Sequence, residues 1–417
     1  VALVTLYLFA HQPHRLRDYP ERRRMDEQSP QALYDHLYEE WFNEEVFRRV
    51  ARECYWPATT LLLHLVQEQS QRRKPFKLNF ALSGLFIEQA RRWEPQLLDV
   101  FRQLAATGLV EFTGETFYHS LSSLFGVDRS EFCSQVELHA QAIRELTGRR
   151  PTFFRNTECL YNNDIAETVR GLGFRGILTE GIERVLDGWR SPNFLYQSTT
   201  GLPVLLRDYQ SSDDIGYRFS NRAWDFWPLH ADVFARWMAA NPHQIITLAM
   251  DYEAFGNHMW AADGIFDFLT WLPRKVAHHP SLEWVTATEA VQRLQPVGVV
   301  NVGPYDTVSW ADAERDTSAW LGNTMQRWCF EEVKRLGPEV LATGDPTLIR
   351  IWRQLQTSDH FYYMTNKSGS DQDVHHYFSV YRTPMEAFVR VQTALAALAS
   401  YLERHKAGNE AQSSALH

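Results

Sequence analysis

Two acidic segments carry residue types suited to nucleophilic and general acid/base chemistry. Arg155-Asn156-Thr157-Glu158-Cys159 places Glu158 just beyond one apolar run, and Asp251-Tyr252-Glu253-Ala254-Phe255-Gly256-Asn257-His258-Met259-Trp260 places Asp251 just beyond another. A glycosidase needs two carboxyl groups, one to attack the anomeric carbon and one to protonate the departing oxygen. Asp251 and Glu253 stand two apart, so on an extended backbone their side chains share a face and Tyr252 points away. Two negative charges that close raise one pKa, which suits an acid that keeps its proton near neutral pH. A strand-to-helix loop with solvated acids is the plainer alternative from spacing alone.

Other segments offer groups for binding. His11-Gln12-Pro13-His14-Arg15 follows the first apolar run, where imidazole and amide groups would meet sugar hydroxyls. Two histidines near an acid can also hold zinc, but His11 and His14, three apart around Pro13, are not a helical ligand pair. Gly84 to Gln89 adds Glu88 after a second run, and Thr357-Ser358-Asp359-His360 ends a helical stretch and reads as a cap. Asp371, Asp373, His375 and His376 lie in a polar loop without EF-hand spacing, so a solvated loop is expected there rather than a calcium site.

The elements that must position these groups alternate in pattern. Apolar, β-branched runs at 1–9, 77–82, 109–112, 152–154, 174–178, 203–206, 245–250 and 284–285 are separated by longer helix-patterned stretches. That order predicts a parallel sheet with crossover helices, and seven or eight strands favour closure into a barrel. In such a barrel the segments after the strands form one rim, where catalytic groups sit. From about Asn301 onward the strand signals stop and helical patterns dominate, at 318–336, 346–356 and 383–404. The expected organisation is therefore a barrel domain over 1–295, a helical domain over 296–405 and a flexible tail over 406–417. Thr383, Pro384 and Glu386 predict the start of the last helix by cap, first-turn proline and capping box. Residues 182–228 carry many aromatics and are expected as an ordered wall of the cleft or a small packed subdomain.

Composition excludes several classes. A net charge of -9 argues against nucleic acid as partner. Hydrophobic residues at 44% and charged residues at 22% are ordinary globular usage. No apolar run nears the roughly 20 residues of a membrane helix. The apolar start reads as a buried strand, since no basic segment precedes it and no small-residue cleavage site follows. Four separated cysteines with no CxxC pair indicate neither a zinc ribbon nor a disulfide framework and fit a cytoplasmic location. Many of the aromatics (Trp 14, Tyr 17, Phe 25) belong to the core, while some offer flat faces to sugars.

Taken together and in this order, the segments resemble glycoside hydrolase family 57, in particular its α-amylase-like members, over nearly the whole chain. His11-Gln12-Pro13 is similar to the first family motif, Gly84 to Gln89 to the second, Asn156-Thr157-Glu158 to the third, Asp251 to Gly256 to the fourth and Gln356 to Asp359 to the fifth. The stretches Ser309 to Glu314 and Ser318 to Asn323 also look like this subgroup. His360 departs from the pattern, standing where many members carry Trp, and Leu85, Phe86 and Ile87 keep the second motif loosely.

The resemblance implies a (β/α)7-type barrel with a C-terminal helical domain whose Asp359 reaches the cleft. It also implies a retaining mechanism with Glu158 as nucleophile and Asp251 as general acid/base, no cofactor or required metal, and starch, glycogen or maltodextrin as substrate. His11, Gln12, Glu88, Glu253, His258, Trp260 and Asp359 are the expected substrate-binding residues. The alternatives are 4-α-glucanotransfer or branching in the same family, then a metal-dependent polysaccharide deacetylase or a non-catalytic glucan-binding protein.

Overall fold

The computed structural model describes residues 1–17, 29–188, 190–240, 243–367 and 379–415. They form two compact units, one of Val1–Gln12, Glu45–Phe117 and Arg129–Trp310, the other of Pro13–Glu44, Tyr118–Asp128 and Ala311–His417.

The first unit contains strands β1 (Ala2–Ala10), β2 (Leu78–Leu82), β3 (Val110–Phe112), β4 (Phe154–Arg155), β5 (Ile177–Glu180), β6 (Tyr196–Ser198), β7 (Pro203–Arg207), β8 (Ile245–Asp251), β9 (Leu282–Trp284) and β10 (Val299–Val300). β1 is buried from Leu3 onward, which accounts for its continuous apolar sequence: both faces are covered, as in parallel sheets. Parallel ladders run β3-β2-β1-β8 and, through β7 and β5, to β4. The gaps between them close. Gly114, just after β3, bridges to Phe154 of β4, and Asp208 N–H, just after β7, donates to Thr247 O of β8 at 2.9 Å. β1, β2, β3, β4, β5, β7 and β8 thus make the expected seven-stranded β/α barrel, with β9 beside the start of β1.

All eight expected strands are present, with ends shifted by up to three residues. β6 and β10 were not expected. β6 pairs antiparallel with β7, and with the helix Tyr209–Gly216 it gives order to much of the aromatic stretch. Packing inside the barrel joins Tyr7, Phe9, Ala81, Phe153, Leu178, Leu205 and Ala249 from five strands and the approach to β4. A second cluster lies around Phe154, Ile177, Val204 and Val308.

The second unit is helical, with Pro30–Leu37, Ser318–Leu321, Thr324–Thr343, Pro346–Gln354, Ser358–Tyr362 and Pro384–Ala415 as its main elements. Three expected boundaries shift. Residues 296–310 belong with the barrel because β10 pairs with β6 and Val308 exchanges two backbone hydrogen bonds with Tyr161, each 3.0 Å. The early segments 13–44 and 118–128 belong with the helices: Leu16 N–H donates to Tyr381 Oη at 3.1 Å, and Leu121 N–H donates to Gln356 O at 3.1 Å. The last helix runs past 406 to Ala415. Its start is as expected, with Glu386 N–H donating to Thr383 Oγ1 at 3.1 Å, although the Glu386 carboxylate bonds to Arg382 N–H rather than closing on Thr383. Asn323 caps a new helix in mid-pattern, splitting the one expected over 318–336.

Candidate active site

Because the seven barrel strands run parallel, the segments that follow them share one rim. His11 follows β1, Ser83 follows β2, Glu115 lies three residues beyond β3, Glu158 three beyond β4, and Glu180 and Asp251 end β5 and β8.

The turn after the two-residue β4 is held from its flanks. Asn156 accepts from Thr157 N–H at 3.0 Å and donates through Nδ2 to Leu160 O at 3.0 Å. Thr157 Oγ1 meets Thr116 Oγ1 at 2.7 Å. Glu158 at its centre adopts φ 55°, ψ 22°, a left-handed conformation uncommon for a residue with a Cβ. Such strain, of order 1–3 kcal/mol, persists where surrounding contacts impose it and clusters at functional sites. Here Trp310 N–H donates to Glu158 O at 3.2 Å, and the indole Nε1–H donates to Glu158 Oε2 at 2.7 Å.

Arg155 is 1% exposed and cannot be left unpaired at that depth. Its guanidinium lies 4.1 Å from the centre of the Phe9 ring and 5.0 Å from that of Trp310, with Glu115 Oε2 at 3.4 Å. Arg207, equally sequestered, pairs with Glu180 at 3.0 Å and with Asp213. Alternating cations and carboxylates thus hold one side of the rim.

Asp251 closes β8 with Phe9 of β1 as its Cα partner. The chain then turns tightly through Tyr252–Ala254, so the extended backbone expected to place Asp251 and Glu253 on one face is absent. The expected electrostatic effect is nevertheless present, and it falls on Glu253. Burial, and next the charge of Asp251, push its carboxyl up to about 8 against the opposing hydrogen bond from Tyr55. Glu253 is 5% exposed and accepts a hydrogen bond from Tyr55 Oη. Gln12 Nε2 donates to that phenol at 3.2 Å, and Gln89 Nε2 donates to Gln12 O at 2.6 Å. Tyr55 ends a π-helical stretch, Ala51–Tyr55, a local widening of the helix frequent at functional sites.

Of the expected binding residues, His11, Gln12, Glu88, Glu253, His258 and Trp260 all belong to the barrel unit. His11 Nδ1 lies 2.8 Å from Ser83 Oγ, which also caps the helix Gly84–Trp93 by accepting from Phe86 N–H at 3.1 Å. Glu88 is half-buried on that helix. The His258 ring is driven down to about 3, first by loss of surrounding water and second by the charge of Arg49. Trp260 is 54% exposed, and its backbone N–H donates to Ser220 Oγ at 3.0 Å. Asp359 belongs to the helical unit, in the first turn of Ser358–Tyr362, where Tyr363 Oη reaches its Oδ1 at 3.4 Å. Thr357 begins that helix rather than ending the one before it.

His14 packs edge-on against Tyr38 in the helical unit, 6.1 Å between ring centres. Among the described residues no three His, Cys, Asp or Glu side chains are placed to hold a metal ion. The loop with Asp371, Asp373, His375 and His376 lies outside the described residues.

Sequence reasoning did not single out Tyr55, Trp310, Arg155, Arg207 or Ser83. Trp310 lay in a stretch noted for resemblance, and Arg155 in the Glu158 segment. Tyr55 sits in an amphipathic helical stretch that gives no local sign of its partner.

A profile of glycosyl hydrolase family 57 matches residues 5–303. A protein of Methanocaldococcus jannaschii named "Putative alpha-amylase" is 43% identical over 416 residues, covering 98% of this chain and 86% of that protein. Among solved structures, the family 57-type branching enzyme of Pyrococcus horikoshii superposes with a TM-score of 0.67 at 17% identity, covering 97% of this chain and 91% of that one. The 4-α-glucanotransferase of Thermococcus litoralis gives 0.61 at 15% identity over 86% of this chain, which spans about half (56%) of that protein's length. At such identities these likenesses concern the fold.

Proposed function

The chain belongs to glycosyl hydrolase family 57, and from that premise we propose that it is a retaining, α-amylase-like hydrolase of α-1,4-glucosidic bonds in starch, glycogen or maltodextrins. The observation that carries this reading is the pair Glu158 and Asp251, beyond β4 and at the end of β8 on one barrel rim, both next to a shared cluster of Phe9, Arg155 and Trp310.

Glu158 attacks the anomeric carbon as the glycosidic C–O bond breaks, and Asp251 gives its proton to the departing oxygen. Water then attacks the glycosyl ester, Asp251 takes its proton, and the electron pair of the ester bond returns to Glu158. His11, Gln12, Glu88, His258, Trp260 and Asp359 serve the sugar, and Glu253 supports Asp251 from beside it. The four free cysteines support the cytoplasm as its location.

The test is incubation of the native protein and Glu158→Gln with maltoheptaose and soluble starch, following product length and anomeric form. Short α-configured maltooligosaccharides from the native protein alone would support the reading. A second reading, glucan transfer or branching, draws on the names of the solved proteins of like fold. The same carboxyl pair serves it when a sugar hydroxyl replaces water, and longer or branched products would select it.

A further inference from the structure

We propose that Trp310 is a positioning residue for the nucleophile, clamping Glu158 through both its side chain and its backbone. This rests on the reading of Glu158 as the nucleophile. The segment 308–310 laces along 158–161 as a short antiparallel pairing: Val308 and Tyr161 exchange two backbone hydrogen bonds of 3.0 Å, and two residues on, Trp310 N–H reaches Glu158 O at 3.2 Å. The indole Nε1–H then closes on Glu158 Oε2 at 2.7 Å, the short length of a hydrogen bond to an ionised acceptor. One residue therefore holds the left-handed backbone of Glu158 and its carboxyl together.

The ring that carries this donor is itself fixed. Phe9 meets it edge-on, 5.1 Å between centres at 68°, and the guanidinium groups of Arg155 and Arg207 lie 5.0 and 5.6 Å from its centre. Charged groups around the pair are Arg155 from β4, Arg207 from β7, Glu115 after β3, Glu180 from β5 and Asp251 from β8. An indole N–H only donates, so it favours the carboxylate over the acid. It does so twice in the cycle: before attack, when Glu158 must be ionised and aimed, and again when the ester C–O bond breaks and the pair returns to the carboxylate. The indole keeps its proton throughout.

Two variants isolate the contact. Trp310→Phe keeps an aromatic ring and loses the N–H. Replacement of Trp310 by 3-benzothienylalanine keeps the whole bicyclic shape with sulfur in place of N–H, and it decides the matter should the phenylalanine variant fold poorly. On an aryl α-maltoside we expect kcat/KM to fall about 10- to 100-fold, the range for a lost hydrogen bond to a charged group. KM should change little, and the acid limb of kcat/KM should move to higher pH. Unchanged kinetics would overturn the proposal, and so would a fall in rate with the limb in place, which marks a merely structural role.

Glu158→Ala with azide is run alongside. A dead variant rescued as a β-glycosyl azide upholds the nucleophile, so that unaffected Trp310 variants would then remove the positioning role alone. Undiminished turnover in Glu158→Ala would remove the nucleophile reading, and the proposal with it.

Discussion

Phe9 and Asp251 are Cα partners on adjacent parallel strands, and the Phe9 ring carries the Arg155 guanidinium on its face at 4.1 Å. Trp310 stands edge-on to the same ring. A single phenylalanine thus abuts the strand that ends in Asp251 and the cluster that holds Glu158.

Phe9→Leu keeps the site apolar but removes the ring that meets the guanidinium. We expect a stability cost of about 1–3 kcal/mol in urea unfolding from repacking and the lost cation contact. Activity should fall about tenfold or more, since small displacements of reacting groups are costly. Native kcat in a destabilised variant would separate the two carboxyl groups functionally.

Glu253 gives a signed pH dependence. Its carboxyl is raised from the usual 4.5 to about 8 in the folded chain. Below about 4.5 both folded and unfolded states hold the proton and its contribution is complete; between about 4.5 and 8 the unfolded chain ionises first, and stability is lost as pH rises. Glu253→Gln should flatten that decline. Tyr55→Phe, by removing a hydrogen bond to the ionised form, should extend it to higher pH. Thermal melts of the three proteins across this range provide the check.

His258 acts in the opposite direction. Its ring is lowered from 6.5 to about 3, so its contribution is present above about 6.5 and is lost as pH falls toward 3, where the unfolded chain takes up the proton first. Replacing it by Asn should make the protein less sensitive to mild acid. Imidazole proton shifts followed by NMR would show whether His258 stays neutral at pH 5.

At Gly256 the expected effect is steric. Its φ is 116°, and an added Cβ would lie 2.2 Å from the carbonyl oxygen of Glu53, a backbone atom with little room to move. Gly256→Ala should cost about 1–3 kcal/mol through backbone strain, and more if Glu53 must shift. An unfolding midpoint equal to the native one would contradict this close approach.

The barrel itself was legible because most of its parallel strands lie in short, mainly apolar runs, clearest in β1, β7 and β8. A strand buried on both faces needs such a run, and helical spacing between runs identifies the crossovers. The three-residue β6 and two-residue β10 escaped notice: too short for a pattern of their own, they are held by tertiary pairing, β6 against β7 and β10 against β6. For the same reason the boundary near 295 moved to 310, where pairing with the barrel ends.

By itself, the sequence determined which residue types follow which strands, and hence that Glu158 and Asp251 would stand on one rim, because parallel strands closed in a ring leave their following segments on one side. Tertiary structure decided what those carboxyl groups touch. Trp310 reaches Glu158 from 152 residues away, Tyr55 reaches Glu253 from 198, and Arg155 settles between two rings from opposite ends of the barrel unit. Local pattern cannot report such contacts, since they follow from how strands and turns close on each other, and the shift at Glu253 arises only once burial and Asp251 surround it.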